Sequence, residues 1–239
     1  TINSVINQTY SHWELILIDD CSSDKSIEVV NELTQEDPRI MLFQHSKNKG
    51  AAEARNLGTK KAKGKYIAFL DADDLWKPEK LEKQLAFMQA ENCDVCFSSY
   101  DLINEAGNKL FKQVKALETL TYKKLLKSNY IGNLTGIYNT KSIGKITAPN
   151  LRKRQDWLLW LAAIKRSGKA AKGMQESLAY YRVREDSISS NKFNLIKYNY
   201  WVYRKGLDLS TIESLYRLFI FLYEQFFVKS KQLISTNKI

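Results

Sequence analysis

Short apolar runs alternate with amphipathic stretches through the first ninety residues. Ile2, Val5 and Ile6 fall at helical spacing and predict the later part of a helix within residues 1–10. Trp13 to Ile18 reads as a strand that ends in the polar turn Asp19-Asp20-Cys21-Ser22-Ser23-Asp24. Ile27, Val30 and Leu33 predict a helix over residues 26–36, capped by Ser23 or Asp24 and stopped before Pro38. A strand over 40–44, a turn at Asn48-Lys49-Gly50 and a helix over 51–62 follow, with Gly64 ending that helix. Ile67 to Leu70 reads as a buried strand that stops at three carboxylates, Asp71, Asp73 and Asp74.

Farther along, the pattern predicts a helix over 78–90 and an extended run over 95–103 that returns through a turn at 104–108 as a hairpin. A helix over 120–128 and an extended segment over 132–138 come next. Residues 154–165 form a strong helix, with Trp157, Leu158, Trp160, Leu161 and Ile164 covering a wide face. A strand over 178–183, a polar loop over 184–191 and two helices, 193–205 and 210–232, close the chain. The alternation implies an α/β fold with a largely parallel sheet and helices on both faces. Ligands of such sheets bind beyond the carboxyl ends of the strands. Asp19-Asp20 and Asp71-Ala72-Asp73 both stand at such ends, as two acidic loops on one rim.

Several acids at the end of a buried strand repel one another and lose hydration unless a cation sits among them. A divalent metal carrying a diphosphate suits them, because Mg²⁺ and Mn²⁺ prefer carboxylate and phosphate oxygens. A helix N-terminus also suits them, with Asp73 or Asp74 capping the helix after Pro78. Net charge is +11, from 37 basic and 26 acidic residues, which favours an anionic partner: nucleic acid, membrane surface or phosphorylated ligand. The densest basic cluster, Lys60 to Lys65, also fits a solvated helix end. Cys93 and Cys96 make a lone C-x-x-C in a strand-like run, and His12 and His45 are the only histidines. That pattern favours buried structural thiols over a zinc site, in a reducing cytoplasmic compartment. No run of about 20 uncharged apolar residues predicts a spanning helix.

The motifs, in order, are Ser4 to Tyr10, Trp13 to Asp24, Asn48-Lys49-Gly50, Ala54-Arg55-Asn56-Leu57-Gly58, Gly64 to Asp74, Gln155-Asp156-Trp157 and Tyr181-Arg182. Together they resemble a family 2 glycosyltransferase of the GT-A fold, of the bacterial cell-surface polysaccharide kind. The resemblance extends to about residue 190 and implies a catalytic domain over 1–190 with a helical C-terminal extension over 191–239. The strand that normally opens this family is expected to be missing.

The resemblance implies a UDP-sugar donor, Mn²⁺ or Mg²⁺, and a glycan or lipid-linked acceptor. Asp20 would accept the uracil N3–H, since a carboxylate only accepts, while Asp19 orders its loop. Asp71 would contact ribose or donor sugar, Asp73 would ligate the metal, and Asp74 would cap a helix. Arg55 would pair with phosphate or with Asp71, a surface salt bridge being the alternative. Asp156 would be the general base of a one-step inverting displacement, with Gln155 where the family usually has Glu. Trp157 would stack on an acceptor sugar or pack in the core. Arg182 and Arg184 would lie in a diphosphate or acceptor loop, with Arg184 where many relatives have His.

Residues 215–228 are very apolar but interrupted by Arg217 and Glu224, and lysines and arginines flank them. This predicts either an interfacial helix on an anionic membrane, at the inner face of a bacterial membrane, or a helix packed on the catalytic domain or on a second subunit as a homo-oligomer. Competing functions are a sugar-phosphate nucleotidyltransferase, for which no Gly-rich, Arg-containing loop is visible, and a nucleotide-binding but inactive relative. Nucleic-acid binding is disfavoured, because no such motif is present and acidic rims repel phosphate.

Overall fold

The computed structural model describes residues 1–184 and 192–236. The expected polar loop therefore lies, beyond Arg184, outside the described residues. The first helix, α1 (Ile2–Ile6), is short. Then come β1 (Leu15–Asp19), α2 (Ser26–Glu36), β2 (Ile40–Gln44), α3 (Ala51–Lys61) and β3 (Tyr66–Ala68). α2 and β2 have the expected limits, and the Asp24 carboxylate accepts the Ser26 N–H at the helix entry, at 2.9 Å. A two-residue strand, β4 (Leu75–Trp76), separates the acidic turn from α4 (Lys80–Ala90).

The second half holds the hairpin β5 (Val95–Ile103) and β6 (Lys109–Val114), then β7 (Thr119–Leu120) and α5 (Tyr122–Leu125). Next are β8 (Ile137–Asn139), α6 (Thr140–Ile143), α7 (Gln155–Ser167) and β9 (Ala171–Arg182). α8 (Lys192–Trp201), α9 (Thr211–Tyr223) and β10 (Leu233–Ser235) complete the described elements.

The expected mixed sheet flanked by helices is present, but its pairings are mostly antiparallel. β1 and β2 pair parallel, as do β5 and β9. β3 with β8, β4 with β9, β5 with β6 and with β8, β7 with β9 and β10 with β6 all run antiparallel. Three segments differ locally from the pattern. The helix expected over 120–128 is one turn, because Thr119 and Leu120 pair with Lys172 and Ala171 instead. The extended run expected over 132–138 begins with a 3₁₀ turn, Asn133–Thr135. The long last helix winds wider over Glu224–Val228, tightens over Lys229–Gln232 and ends as β10 on the edge of β6.

β1 and β2 form a sheet of their own, with no strand bonds to β3 among the described residues. The two sheets nevertheless share both faces. Ile16, Ile67 and Phe69 pack in one apolar cluster, and Leu15, Ala68 and Leu70 pack in another. The Glu14 carboxylate accepts the Lys63 and Gly64 N–H groups at 2.6 and 2.7 Å, tying the start of β1 to the turn before β3. The split lies beside the strand that carries the acidic turn.

The main core is centred on α7, where Trp157 and Trp160 are fully buried. Trp160 meets Phe69 and Tyr138 edge-on, and Trp157 meets Tyr203 and Phe221 with ring centroids 5.7 Å apart. Trp157 is thus a core residue, its indole N–H given to the Leu125 carbonyl, rather than a platform for a sugar. Val202, Tyr203 and Phe221, from the last fifty residues, share this core with α7. Cys93 and Cys96 are buried free thiols whose pKa values burial pushes up to about 11 and about 12, consistent with packing rather than reactivity.

β9 approaches the backbone before β7 so closely that a Cβ on Gly173 would stand 2.0 Å from the Leu117 carbonyl oxygen. Gly173→Ala should therefore cost on the order of 1–3 kcal/mol, seen as a lower midpoint in thermal unfolding. An unchanged midpoint would contradict this close approach.

Candidate active site

The acidic turn after β3 is positioned from several sides. The Thr1 hydroxyl donates to the carbonyls of Ala72 and Asp74, and the Ser4 hydroxyl accepts the Trp76 N–H. The Gln8 amide donates to Ser4 and Lys77 carbonyls and accepts the Leu81 N–H. The motif from Ser4 to Tyr10 thus braces the turn and the start of α4.

The three carboxylates meet three different partners. Asp71 pairs with the Arg55 guanidinium of α3 at 2.6 Å and accepts from the Asn133 amide at 3.4 Å. Asp73 stands 3.4 Å from Arg184 Nε and stays about one-third exposed. Asp74 is buried and accepts the Arg182 N–H of β9 at 2.9 Å. Burial, with the charges of Asp73 and Asp71, pushes Asp74 up to about 7 against that hydrogen bond. The helix cap expected of Asp74 is not formed: β4 intervenes before α4, and the carboxylate turns inward to β9.

The two arginines of the expected loop separate in role. Arg182 donates through its guanidinium to the carbonyls of Asp73, Asn104 and Glu105 at 2.7–3.1 Å. Engaged in this way it braces the turn. Arg184 is about half exposed and touches Asp73 alone among the ion pairs of the described residues.

Asp19 orders its loop as expected, accepting the Cys21 and Ser22 N–H groups. Asp20 accepts from Gly50 N–H at 2.6 Å, Lys49 N–H at 2.8 Å and the His45 ring at 2.7 Å. Burial opposes its charge, yet the Lys49, His45 and Gly50 hydrogen bonds outweigh it and hold the carboxyl below its usual range. A carboxylate offers about four acceptor positions, so one remains on the oxygen bound to Gly50. An open depression lined by His45, Lys49, Glu53 and Asn56 lies beside this loop.

Asp156 occupies the first turn of α7, where the helix dipole favours an anion. Its carboxylate accepts from the Asn129 amide at 2.8 Å. Arg154 precedes the helix with a left-handed backbone, φ 69°, and burial lowers its pKa while Asp156 raises it. The segment 129–133 spans the site: Asn129 touches Asp156 and Asn133 touches Asp71. Neither asparagine was among the residues singled out from sequence, because neither belongs to a motif.

A divalent ion fits this donor set as a guest of the donor. No three His, Cys, Asp or Glu side chains among the described residues come together as a cage. Mg²⁺ and Mn²⁺ commonly take only one or two carboxylates and fill the remaining positions with phosphate oxygens and water. Asp73, about one-third exposed and with Arg184 at 3.4 Å as its one ion-pair partner among the described residues, would be the carboxylate to hold it.

The family profile described as Glycosyl transferase family 2 matches residues 1–148. The putative teichuronic acid biosynthesis glycosyltransferase TuaG of Bacillus subtilis (strain 168) is 44% identical over 205 residues, which is 86% of this chain and 81% of TuaG. The UDP-Glc:alpha-D-GlcNAc-diphosphoundecaprenol beta-1,3-glucosyltransferase WfgD of Escherichia coli is 39% identical over 197 residues, 82% of this chain and 76% of WfgD. Among solved structures, S. aureus TarS 1–349 in complex with UDP-GlcNAc superposes with a TM-score of 0.71 at 22% identity, covering 94% of this chain and 68% of that one. Against the longer TarS chain the coverage is 40%, with a TM-score of 0.68. The mannosyltransferase PcManGT from Pyrobaculum calidifontis, in complex with GDP-Man and Mn²⁺, gives 0.66 at 13% identity, covering 97% of this chain and 66% of that one. These structural likenesses show the GT-A fold. With its profile matched over more than half the chain and a relative at 44% identity, the chain belongs to glycosyl transferase family 2 and is a glycosyltransferase.

Proposed function

We propose that this enzyme transfers a sugar from a UDP-sugar to a hydroxyl of a lipid-linked, growing cell-surface glycan, with inversion at the anomeric carbon. The observation that carries this reading is the pair of carboxylate centres joined by the 129–133 segment, with arginines on one and an asparagine on the other. The first suits a leaving diphosphate and the second suits a base. WfgD is named for a UDP-glucose donor and a diphosphoundecaprenol acceptor, and TarS was solved with UDP-GlcNAc, which supports the donor and acceptor classes.

Asp20 holds the base edge through its remaining acceptor position. Asp71, fixed by Arg55, meets the ribose or donor sugar. Asp73 would hold Mn²⁺ or Mg²⁺, which when bound supplies Lewis-acid stabilisation of the diphosphate charge. Arg184 adds a second positive charge on the same side. Asp156 removes the proton of the attacking hydroxyl, and Asn129 keeps one of its oxygens occupied so that the other faces the acceptor.

A general base typically contributes about 10²–10⁴-fold. Asp156→Asn should therefore lower kcat by that order while UDP affinity, measured by calorimetry, stays within about twofold. UDP release from UDP-glucose or UDP-GlcNAc with a synthetic diphospholipid-linked GlcNAc acceptor is the assay. Full activity in the variant would remove Asp156 from the role. Thermal shifts with UDP, GDP, dTDP and CTP should single out UDP, with a larger shift when Mn²⁺ is added; no shift with any nucleotide would contradict the donor assignment.

The C-terminal helix adds a membrane contact to this reading. Ile212, Leu215, Tyr216, Phe219, Tyr223, Phe226 and Phe227 are all exposed, Phe219 by 71%. Both acids of residues 211–236 are paired, Glu213 with Arg217 and Glu224 with Lys124, so the exposed face is mainly apolar, with Lys231 exposed beside it. That combination, on a chain of net charge +11, suits an anionic lipid surface. No helix among the described residues is long and apolar enough to cross a membrane. Phe221 sits in the core, so the test replaces exposed positions rather than truncating the chain. The parent should float with phosphatidylglycerol vesicles and the triple variant Phe219→Ser, Phe226→Ser, Phe227→Ser should not. Equal flotation, or a parent dimer in solution that the triple variant abolishes without any vesicle binding, would overturn the membrane contact.

A further inference from the structure

Three consecutive residues beside the base are each gripped by the C-terminal segment. The Ser128 hydroxyl donates to Gln225 Oε1 at 3.2 Å. The Lys229 ammonium donates to the Asn129 carbonyl. The Tyr130 hydroxyl donates to Glu224 at 2.6 Å, and Lys124 pairs with the same carboxylate. Glu224 is almost fully buried, at 3% exposure, so this contact lies inside the protein.

The local winding explains how Glu224 and Lys229 reach one segment. In an α-helix, at about 3.6 residues per turn, side chains five apart point well away from each other. Residues 224–228 form a π turn, whose wider winding brings positions five apart nearer to one side.

Asn129 is fixed at both ends of its side chain. Its side-chain Oδ1 accepts the Ile131 N–H at 3.2 Å, which directs its amide nitrogen to Asp156 Oδ2 at 2.8 Å. Lys229 lies close to Arg154 and Asp156 as well: burial and Arg154 lower its pKa to about 8, and Asp156 opposes them.

We infer that Asn129 is a positioning residue for the Asp156 carboxylate and that the C-terminal turn 224–229 holds Asn129 in register. This rests on Asp156 as the base. On this inference the turn 224–229 helps to position the base as well as to pack.

The test compares Asn129→Ala, Asn129→Asp and Lys229→Met with Asp156→Asn, using the UDP-release assay, UDP calorimetry and thermal unfolding. Asn129→Ala should lower kcat on the order of tenfold, less than loss of the base itself, with donor KM and UDP affinity unchanged. Lys229→Met should move kcat in the same direction and by less. Asn129→Asp keeps the acceptor for Ile131 but turns a carboxylate toward Asp156, so it should lose at least as much kcat as Asn129→Ala; a merely structural role predicts that it rescues. If Asp156→Asn abolishes turnover while Asn129→Ala and Lys229→Met keep the parent kcat, the positioning role is overturned and the base stands. If Asp156→Asn itself turns over like the parent, the base assignment fails and this inference fails with it. Should Asn129→Ala not fold, the same kcat and KM comparison is read from Lys229→Met and Asn129→Asp.

Discussion

Three carboxylates within four residues are stable at the end of a strand only if each finds separate compensation. Here each draws on a different part of the chain: Asp71 on Arg55 of α3, Asp73 on Arg184 beyond β9, and Asp74 on the Arg182 backbone in β9. These partners have to arrive from 16 to more than 100 residues away, so the turn constrains where α3 and β9 can lie. The pairs at Asp71 and Asp73 are partly exposed and contribute little to stability by themselves. In the proposed reading their importance lies in charge: the corner would exchange a guanidinium for a metal and a diphosphate.

The Asp156 centre is built by a different logic. α7 is anchored by Trp157 and Trp160 in the core, which fixes the helix N-terminus and therefore Asp156. Tyr203 and Phe221, from beyond the family's matched region, pack directly on Trp157. The same C-terminal stretch presents apolar side chains outward and grips residues 128–130 inward. A lipid surface on its outer face would therefore sit one helix away from Asp156.

Much of the first half could be read from the residues. Apolar runs ending in Asp or Asn turns located β1 and β2, helical spacing located α2, and Asp20 falls at the end of β1; Asp71 and Asp73 come three and five residues after β3, which stops at Ala68 rather than at Leu70. The second half was less legible because its contacts are long-range. β9 carries Lys172, Gly173, Gln175, Glu176 and Ser177, a polar series that reads as loop until β5 and β7 pair with it. β10 continues from what reads as helix because β6 offers an open edge. Asn129 and Lys229 stand 100 residues apart and carry no periodic signal, so only the folded chain brings them to Asp156. Trp157, beside a motif aspartate, reads equally as platform or core until its full burial decides.

The central claim is that the acidic corner takes up a divalent ion together with a diphosphate, through Asp73. Paramagnetic resonance of Mn²⁺ titrated with the protein tests it most directly. The free Mn²⁺ signal should fall sharply when UDP is added to the parent protein and far less with Asp73→Asn. Equal loss of signal in the two proteins, or none in the parent with UDP present, would contradict the account.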